Sequence, residues 1–193
     1  MKNIIIVFFM LIALSIYPET ELIEATTDVE VWGYGIGKGA NPQIAMTKAN
    51  DSARVNLAEQ IESSSFEYIS EGDEIIMITS ISAFLEDTKI IETVQIGDKE
   101  WVSIASTQAK IKLPKDISLN YKEYSKTLKG KDKKNFNFQF SFNELRKTAI
   151  LDYIKENYKD ASNITGKCFV KDITLKIDKK SALISAKYAV IID

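Results

Sequence analysis

Three glycines that alternate with large side chains constrain the fold of this chain more than any other feature. Residues 28–36 are rich in Val, Trp, Tyr and Ile and alternate with a period of two, which predicts a β-strand. Gly33, Gly35 and Gly37 fall on one face of this strand, and the opposite face carries the aromatic side chains. Because glycine has no side chain, a second element can approach the glycine face unusually closely.

The segment after the glycines predicts an amphipathic helix whose buried stripe also consists of small side chains. Asn41 is a favoured N-cap and a proline follows it, so we expect a helix over residues 42–66. Ala45, Ala49 and Ala53 recur at intervals of four and therefore share one face of that helix. We expect this alanine stripe to pack against the glycine face of the preceding strand.

The glycine-rich segment at residues 33–40 also matches the GxGxxA pattern of dinucleotide-binding loops. Such a loop requires an acidic residue about 20 positions later, at the end of a second parallel strand. The acidic residues near that position, Glu59 and Glu62, lie in the same predicted helix. Close packing of strand and helix is therefore the favoured interpretation, and we expect no cofactor and no cofactor-binding residue.

The remaining pattern predicts an α+β fold, with a mainly antiparallel sheet and two or three helices packed on one face. The two expected hairpins combine residues 89–96 with 100–113 and residues 167–177 with 182–192. The other expected helices cover residues 73–85, 117–128 and 142–158. We expect all of these elements to belong to a single domain over residues 26–193.

A lysine-rich stretch interrupts this domain near residues 121–135, and we expect it to be a solvated linker, with binding of an anionic polymer as the alternative. The alternating aromatic run 136–142 follows, and Ser141 and Glu144 form a capping box for the last helix. Burial is the favoured location for the run, with an exposed strand that pairs with a partner as the alternative. The candidate partner surface consists of Phe136, Phe138, Phe140, Lys129, Lys131 and Lys133.

The N-terminal segment predicts export. One lysine precedes a mostly apolar run at residues 4–17, which is shorter than the roughly 20 residues of a membrane-spanning helix. We expect residues 1–25 to be a signal peptide cleaved after Ala25, with cleavage after Ser15 and an uncleaved anchor as alternatives. The mature chain is then expected to lack a transmembrane span and to reside in the periplasm or cell envelope.

The chain contains no histidine and one cysteine, which removes much of the usual chemistry of enzymes. A histidine-containing triad, a histidine metal ligand, a CxxC redox pair and an internal disulfide are all excluded. Without residues 1–25 the chain has 24 basic and 24 acidic residues, so no net charge attracts it to nucleic acid. We expect no catalytic residue and no metal ligand.

We also expect Cys168 to be buried and Arg54 to pair with Asp51 or Glu62.

Two segments together resemble a bacterial family. The first is the Val-Trp-Gly-Tyr-Gly-Ile-Gly strand at residues 31–37, and the second is Ala-Arg-Val-Asn-Leu-Ala at residues 53–58. The pair resembles the LPP-type twenty-kilodalton lipoprotein family, including FlgT N-terminal-like domains, over about residues 28–113, with Trp101 as the aromatic residue of the family's hairpin. The SIMPL-type periplasmic domain is a second resemblance. The sequence departs from the lipoproteins because its one cysteine, Cys168, lies far from the signal segment.

The resemblance implies an exported, non-enzymatic envelope protein with a binding or assembly role. Its expected partners are envelope or outer-membrane proteins, with flagellar assembly or self-assembly among the implied contexts. The alternative function is a carboxylate-dependent hydrolase acting on cell-wall glycan. That alternative requires two carboxylates that face each other across a cleft, about 5–10 Å apart.

Overall fold

The computed structural model of the chain describes residues 24–63, 65–72, 74–78, 88–115, 117–129, 136–159, 162–178 and 180–192. The elements in chain order are β1 (Glu24–Lys38), α1 (Pro42–Ser63), β2 (Ser65–Ile69), a 3-10 turn (Ser70–Gly72), β3 (Glu74–Ile78), β4 (Lys89–Gly97), β5 (Glu100–Pro114), β6 (Lys122–Lys129), α2 (Phe138–Asn157), β7 (Asn163–Ile177) and β8 (Ser181–Ile192). Every strand pair among them is antiparallel. The predicted α+β class with a mainly antiparallel sheet is confirmed.

The described strands form two sheets, with the orders β1-β5-β4 and β3-β2-β7-β8-β6. Both predicted hairpins are present, as β4–β5 and β7–β8. Helix α1 packs on β1 and β5, whereas α2 packs on β8 and β6 and also reaches β1. The two faces of β1 therefore contact different helices.

The glycine face of β1 meets the alanine stripe of α1, as the sequence predicts. A Cβ atom on Gly33 would lie 2.9 Å from the carbonyl oxygen of Ala53, and one on Gly35 or Gly37 would overlap the backbone near Ala49. The three alanines of the stripe are fully buried. Asn41 caps the helix as predicted, since its Oδ1 accepts a hydrogen bond from the amide of Ile44 at 2.9 Å.

The core has two parts, which lie on opposite faces of β1. The smaller part joins the valines of β1 to Ala53 and Leu57 of α1. The larger part contains the buried face of α2 and most of the five-stranded sheet, and Trp32, Tyr34 and Ile36 of β1 pack against it. Strand β1 thus links both parts of the core.

Residues 122–129 form strand β6, so the predictions of a linker and of a helix over residues 117–128 are wrong there. Strand β6 pairs with β8 at the edge of the sheet. Its partly buried face includes Tyr124 and Leu128, which pack against the larger core, and lysines occupy three of the other six positions. The lysines obscured this alternation in the sequence. The remaining linker residues, 130–135, lie outside the described part of the chain.

Two further predicted helical segments are strands. Helix α1 ends at Ser63, and Phe66, which we expected in that helix, lies fully buried in β2. The helix predicted over residues 73–85 is replaced by β3 at Glu74–Ile78, where three isoleucines favour extended backbone. Residues 79–87 are outside the described ranges.

Helix α2 begins four residues earlier than predicted, so residues 138–142 of the aromatic run are helical and the alternative of an exposed docking strand is wrong there. The Oδ1 atom of Asn137 caps it by accepting a hydrogen bond from the amide of Phe140 at 3.0 Å. Ser141 lies inside the helix, and its hydroxyl donates to the Asn137 carbonyl, so the predicted capping box is not used. Phe138 and Phe142 are both buried because a spacing of four places them on one helix face.

Three other sequence predictions concern single segments. Cys168 is fully buried, and Arg54 pairs with Asp51 at 3.3 Å, as expected. Residues 1–23 of the predicted signal peptide lie outside the described residues, while Glu24 and Ala25 begin β1. Among the described helices, neither α1 nor α2 has the combination of length and apolar composition that crossing a bilayer requires.

Candidate binding cavity between the two helices

A cavity of about 240 Å³ lies where α1, α2, β1 and the five-stranded sheet meet. Its polar lining residues are Tyr34, Asn56, Glu59, Gln60, Gln139, Asn143, Arg146, Lys147 and Tyr188. Its apolar lining residues are Met77, Phe142, Val170 and Ile173. Gln139, Asn143 and Lys147 are exposed side chains of α2, so the cavity reaches the protein surface along this helix.

The α1 side of the cavity is held in place by hydrogen bonds to β1. The Oδ1 atom of Asn56 accepts from the backbone amide of Tyr34 at 3.3 Å and from Gln60 Nε2 at 3.1 Å. Gln60 Nε2 also donates to the Trp32 carbonyl oxygen at 2.8 Å. The Gln60 residue is 3% exposed, yet its Oε1 has no hydrogen-bond partner in the part of the chain that the structure describes. One residue that lines the cavity from α1 therefore holds a buried acceptor without a partner there.

The α2 side is joined to β1 through the hydroxyl group of Tyr34. This hydroxyl donates to Asn143 Oδ1 at 3.1 Å and accepts from Gln139 Nε2 at 2.8 Å. The ring of Tyr34 stacks on Phe142, with 3.9 Å between ring centroids and 17° between ring planes. One aromatic side chain of β1 thus fixes both the position of α2 and the orientation of its amide side chains.

Arg146 supplies the cation nearest to the buried end of the cavity. Its Nη2 donates to the Cys168 carbonyl oxygen at 3.2 Å, but its buried Nε has no hydrogen-bond partner among the residues that the structure describes. Within the described part of the chain, Arg146 is in no ion pair. Because guanidinium carries five N–H donors and cannot lose its charge in a protein, this side chain can accept an anionic partner.

The hydroxyl and thiol groups around Arg146 are neutral at physiological pH. Burial raises the pKa of Tyr34 to about 12, although the Arg146 charge acts in the opposite direction. Burial also raises the pKa of Tyr188 and of the Cys168 thiol. None of these three groups supplies a negative charge to Arg146 near neutral pH.

Glu59 is the only carboxylate among the described residues that line the cavity. Its Oε2 accepts a hydrogen bond from Asn56 Nδ2 at 3.3 Å. The hydrolase alternative requires a second carboxylate across a cleft, and the lining of this cavity does not provide one.

Comparison with known protein families, curated proteins and solved structures gives no match to this chain. The resemblance to the twenty-kilodalton lipoproteins therefore stays a prediction. The cavity has to be interpreted from its own residues.

The described residues of the predicted partner surface are not among those that line the cavity. Phe138 is buried at 1% exposure, so its side chain is not available to a partner, whereas Phe140 is 54% exposed. Phe136 is partly buried, and Lys129 is exposed on β6. Lys131 and Lys133 lie outside the described residues.

The amide residues of the cavity belong to no sequence motif of catalysis or metal binding, because such motifs consist of titratable and nucleophilic groups. Asn56 and Gln60 are four residues apart on α1, as are Gln139 and Asn143 on α2. Such spacing places each amide pair on one helix face. Two amide pairs beside apolar stripes were the available signal, but the partner helix of each pair was not predictable from spacing alone.

Proposed function

We propose that this chain is an exported, non-enzymatic envelope protein that binds a ligand in the cavity between α1 and α2. The observation that carries the proposal is that two residues lining one cavity each hold a buried polar atom, the acceptor Gln60 Oε1 and the donor Arg146 Nε, without a hydrogen-bond partner among the described residues. The predicted signal peptide and the absence of histidine support the exported and non-enzymatic parts of the proposal.

Buried polar groups that lack hydrogen bonds lower the stability of the folded protein. More than about 90% of buried polar groups in proteins have a partner, and each group without one costs about 1–3 kcal/mol. A ligand with complementary groups would recover this free energy when it binds. The indole N–H groups of Trp32 and Trp101 are also without partners among the described residues, but these residues do not line the cavity. An unfilled donor and an unfilled acceptor on two residues that line the same cavity support binding of a polar molecule there.

A fragment screen observed by NMR tests the binding part. We expect fragments to shift the resonances of residues 56–60 and 139–147, which lie on opposite walls of the cavity. A chemically diverse library that produces no shift in these two segments would contradict ligand binding at this site.

Mass spectrometry of the protein recovered from its own cells tests export. We expect a mature N-terminus immediately after Ala25, in periplasmic or envelope fractions. Full-length protein recovered only from the cytoplasm would contradict this part of the proposal.

The assembly part concerns the exposed surface around Phe140. The Lys126 ammonium lies 5.3 Å from the centroid of the Phe140 ring, so a charged and an aromatic group are presented together. We expect Phe140→Ala to remove crosslinks to envelope proteins in intact cells. Tyr158→Ala, an exposed aromatic beyond the other end of α2, is the matched control. Identical crosslinks in both variants would exclude the surface around Phe140 as a binding site for envelope proteins.

A further inference from the structure

We propose that the cavity selects small organic monoanions that combine a carboxylate with a hydrogen-bond donor, as N-acylated amino acids do. Arg146 would bind the carboxylate, and Gln60 would accept the hydrogen bond. This inference rests on the proposed ligand-binding function and specifies its chemistry. Four observations support it, concerning the cation, the acceptor, the charge balance and the volume.

The cation is available to an external carboxylate because no acidic side chain of the described residues pairs with it. The Cys168 carbonyl takes one donor of the Arg146 guanidinium, and the Nε–H has no acceptor among these residues. A guanidinium group matches the planar geometry of a carboxylate and binds it through charge-assisted hydrogen bonds. The same Arg146 donates to β7 from α2, which holds the guanidinium in a defined position before a ligand arrives.

The acceptor has a fixed orientation. Gln60 Nε2 donates to two oxygens, the Trp32 carbonyl and Asn56 Oδ1. Rotating the amide by half a turn would place Gln60 Oε1 against those oxygens and lose both hydrogen bonds, so the oxygen stays unfilled. A ligand that completes this site must bring an N–H or O–H group.

The charge of the lining favours a monoanion. Arg146 and Lys147 are positive and Glu59 is negative, which leaves the lining residues with a net charge of +1. A dianion such as a phosphate monoester would exceed this charge. A neutral ligand would leave the Arg146 charge without a counter-ion.

The volume restricts the ligand to a small molecule. The cavity measures about 240 Å³, below the range of about 300–1,000 Å³ that accommodates drug-sized compounds. The side of the cavity formed by Phe142, Val170 and Ile173 is apolar. A short aliphatic group of the ligand can pack there while its polar groups face Arg146 and Gln60.

Calorimetric titration of the exported chain with three matched probes tests this chemistry. N-acetylalanine carries both groups, 2-acetoxypropionate has an ester oxygen in place of the N–H donor, and N-acetylalaninamide lacks the carboxylate. We expect N-acetylalanine to bind at least about tenfold more tightly than either of the others, since each of them lacks one of the two recognised groups. Equal affinity for the neutral amide would overturn the role of the carboxylate, and equal affinity for 2-acetoxypropionate would overturn the role of the donor.

The two arginines of the chain provide a matched pair of variants. Arg146→Lys keeps the charge but removes the Nε–H and the planar set of N–H donors that matches a carboxylate. We therefore expect affinity for N-acetylalanine to fall at least about tenfold. Arg54→Lys is the control because Arg54 lies outside the cavity and binds Asp51 and Thr88. Equal affinities in the two variants, both folded by circular dichroism, would overturn the assignment of Arg146.

The outcomes separate this inference from the function on which it rests. Neutral or cationic fragments that bind between α1 and α2, together with no binding of N-acetylalanine, would overturn the carboxylate specificity and leave the cavity as a ligand site. Absence of any ligand in the cavity, carboxylate or not, would overturn both.

Discussion

The two faces of β1 show how alternating side-chain size gives one strand two different roles. On one face, Gly33, Gly35 and Gly37 allow the backbone of α1 to lie close against the strand, and the contact is fully buried. On the other face, Tyr34 stacks on Phe142 and holds α2 beside a cavity with polar walls. Small side chains produce a close structural contact, whereas large amphipathic side chains leave space in which polar groups from distant segments converge.

The largest expected effect follows from filling the glycine face. A Cβ atom in Gly35→Ala would overlap the backbone of Ala49 and Ala53, which cannot move without displacing α1. We expect the free energy of unfolding to fall by about 3 kcal/mol or more, measured by urea denaturation.

Gly97→Ala is the matched control for this glycine substitution. The added Cβ would meet Glu100 Cβ at 3.4 Å, an ordinary contact, and the φ angle of Gly97 is not positive. We expect a change within about 1 kcal/mol. Similar losses in the two variants would contradict a special role for the glycine face.

The aromatic face is expected to be sensitive to removal of a side chain rather than to addition of one. Phe142 is 1% exposed, so Phe142→Ala should lower the free energy of unfolding by about 3 kcal/mol, at the low end of the usual range because the side chain already borders a cavity. Phe140 is 54% exposed, and Phe140→Ala should change the free energy of unfolding by less than about 1 kcal/mol. Equal losses would show that α2 is not anchored through Phe142.

Alkaline pH should destabilise the aromatic face. Burial raises the pKa of Tyr34 from 10.0 to about 12, so between these values the unfolded chain loses its proton while the folded chain retains it. The contribution of Tyr34 to stability is therefore complete below about pH 10 and is lost as the pH rises to about 12. We expect Tyr34→Phe to reduce the slope of unfolding free energy against pH in this interval. An unchanged slope would contradict burial of the hydroxyl.

The smallest effect is expected for the arginine on the outer side of α1. The Arg54–Asp51 pair is partly exposed, with side-chain exposures of 32% and 57%. Arg54→Lys should change the free energy of unfolding by less than about 0.5 kcal/mol, as measured by urea denaturation. A larger loss would mean that the hydrogen bond from Arg54 Nε to Thr88 Oγ1 contributes more than its surface location implies.

The glycine–alanine contact could be predicted because both of its patterns are local. The first residue of α2 was harder to predict, since Phe138 and Phe142 fit the period of two of a strand as well as the spacing of four of a helix. The site itself depends on contacts that local patterns do not contain. Tyr34 and Asn143 are 109 residues apart in sequence, yet they share a hydrogen bond.

The structure of the protein in complex with N-acetylalanine tests the central claim most directly. We expect the ligand to lie beside the face of β1 that carries Tyr34. Its carboxylate should be about 2.7–2.9 Å from Arg146 Nε, and its amide N–H should donate to Gln60 Oε1. A ligand bound elsewhere, or bound in the cavity with neither Arg146 nor Gln60 in contact, would contradict it.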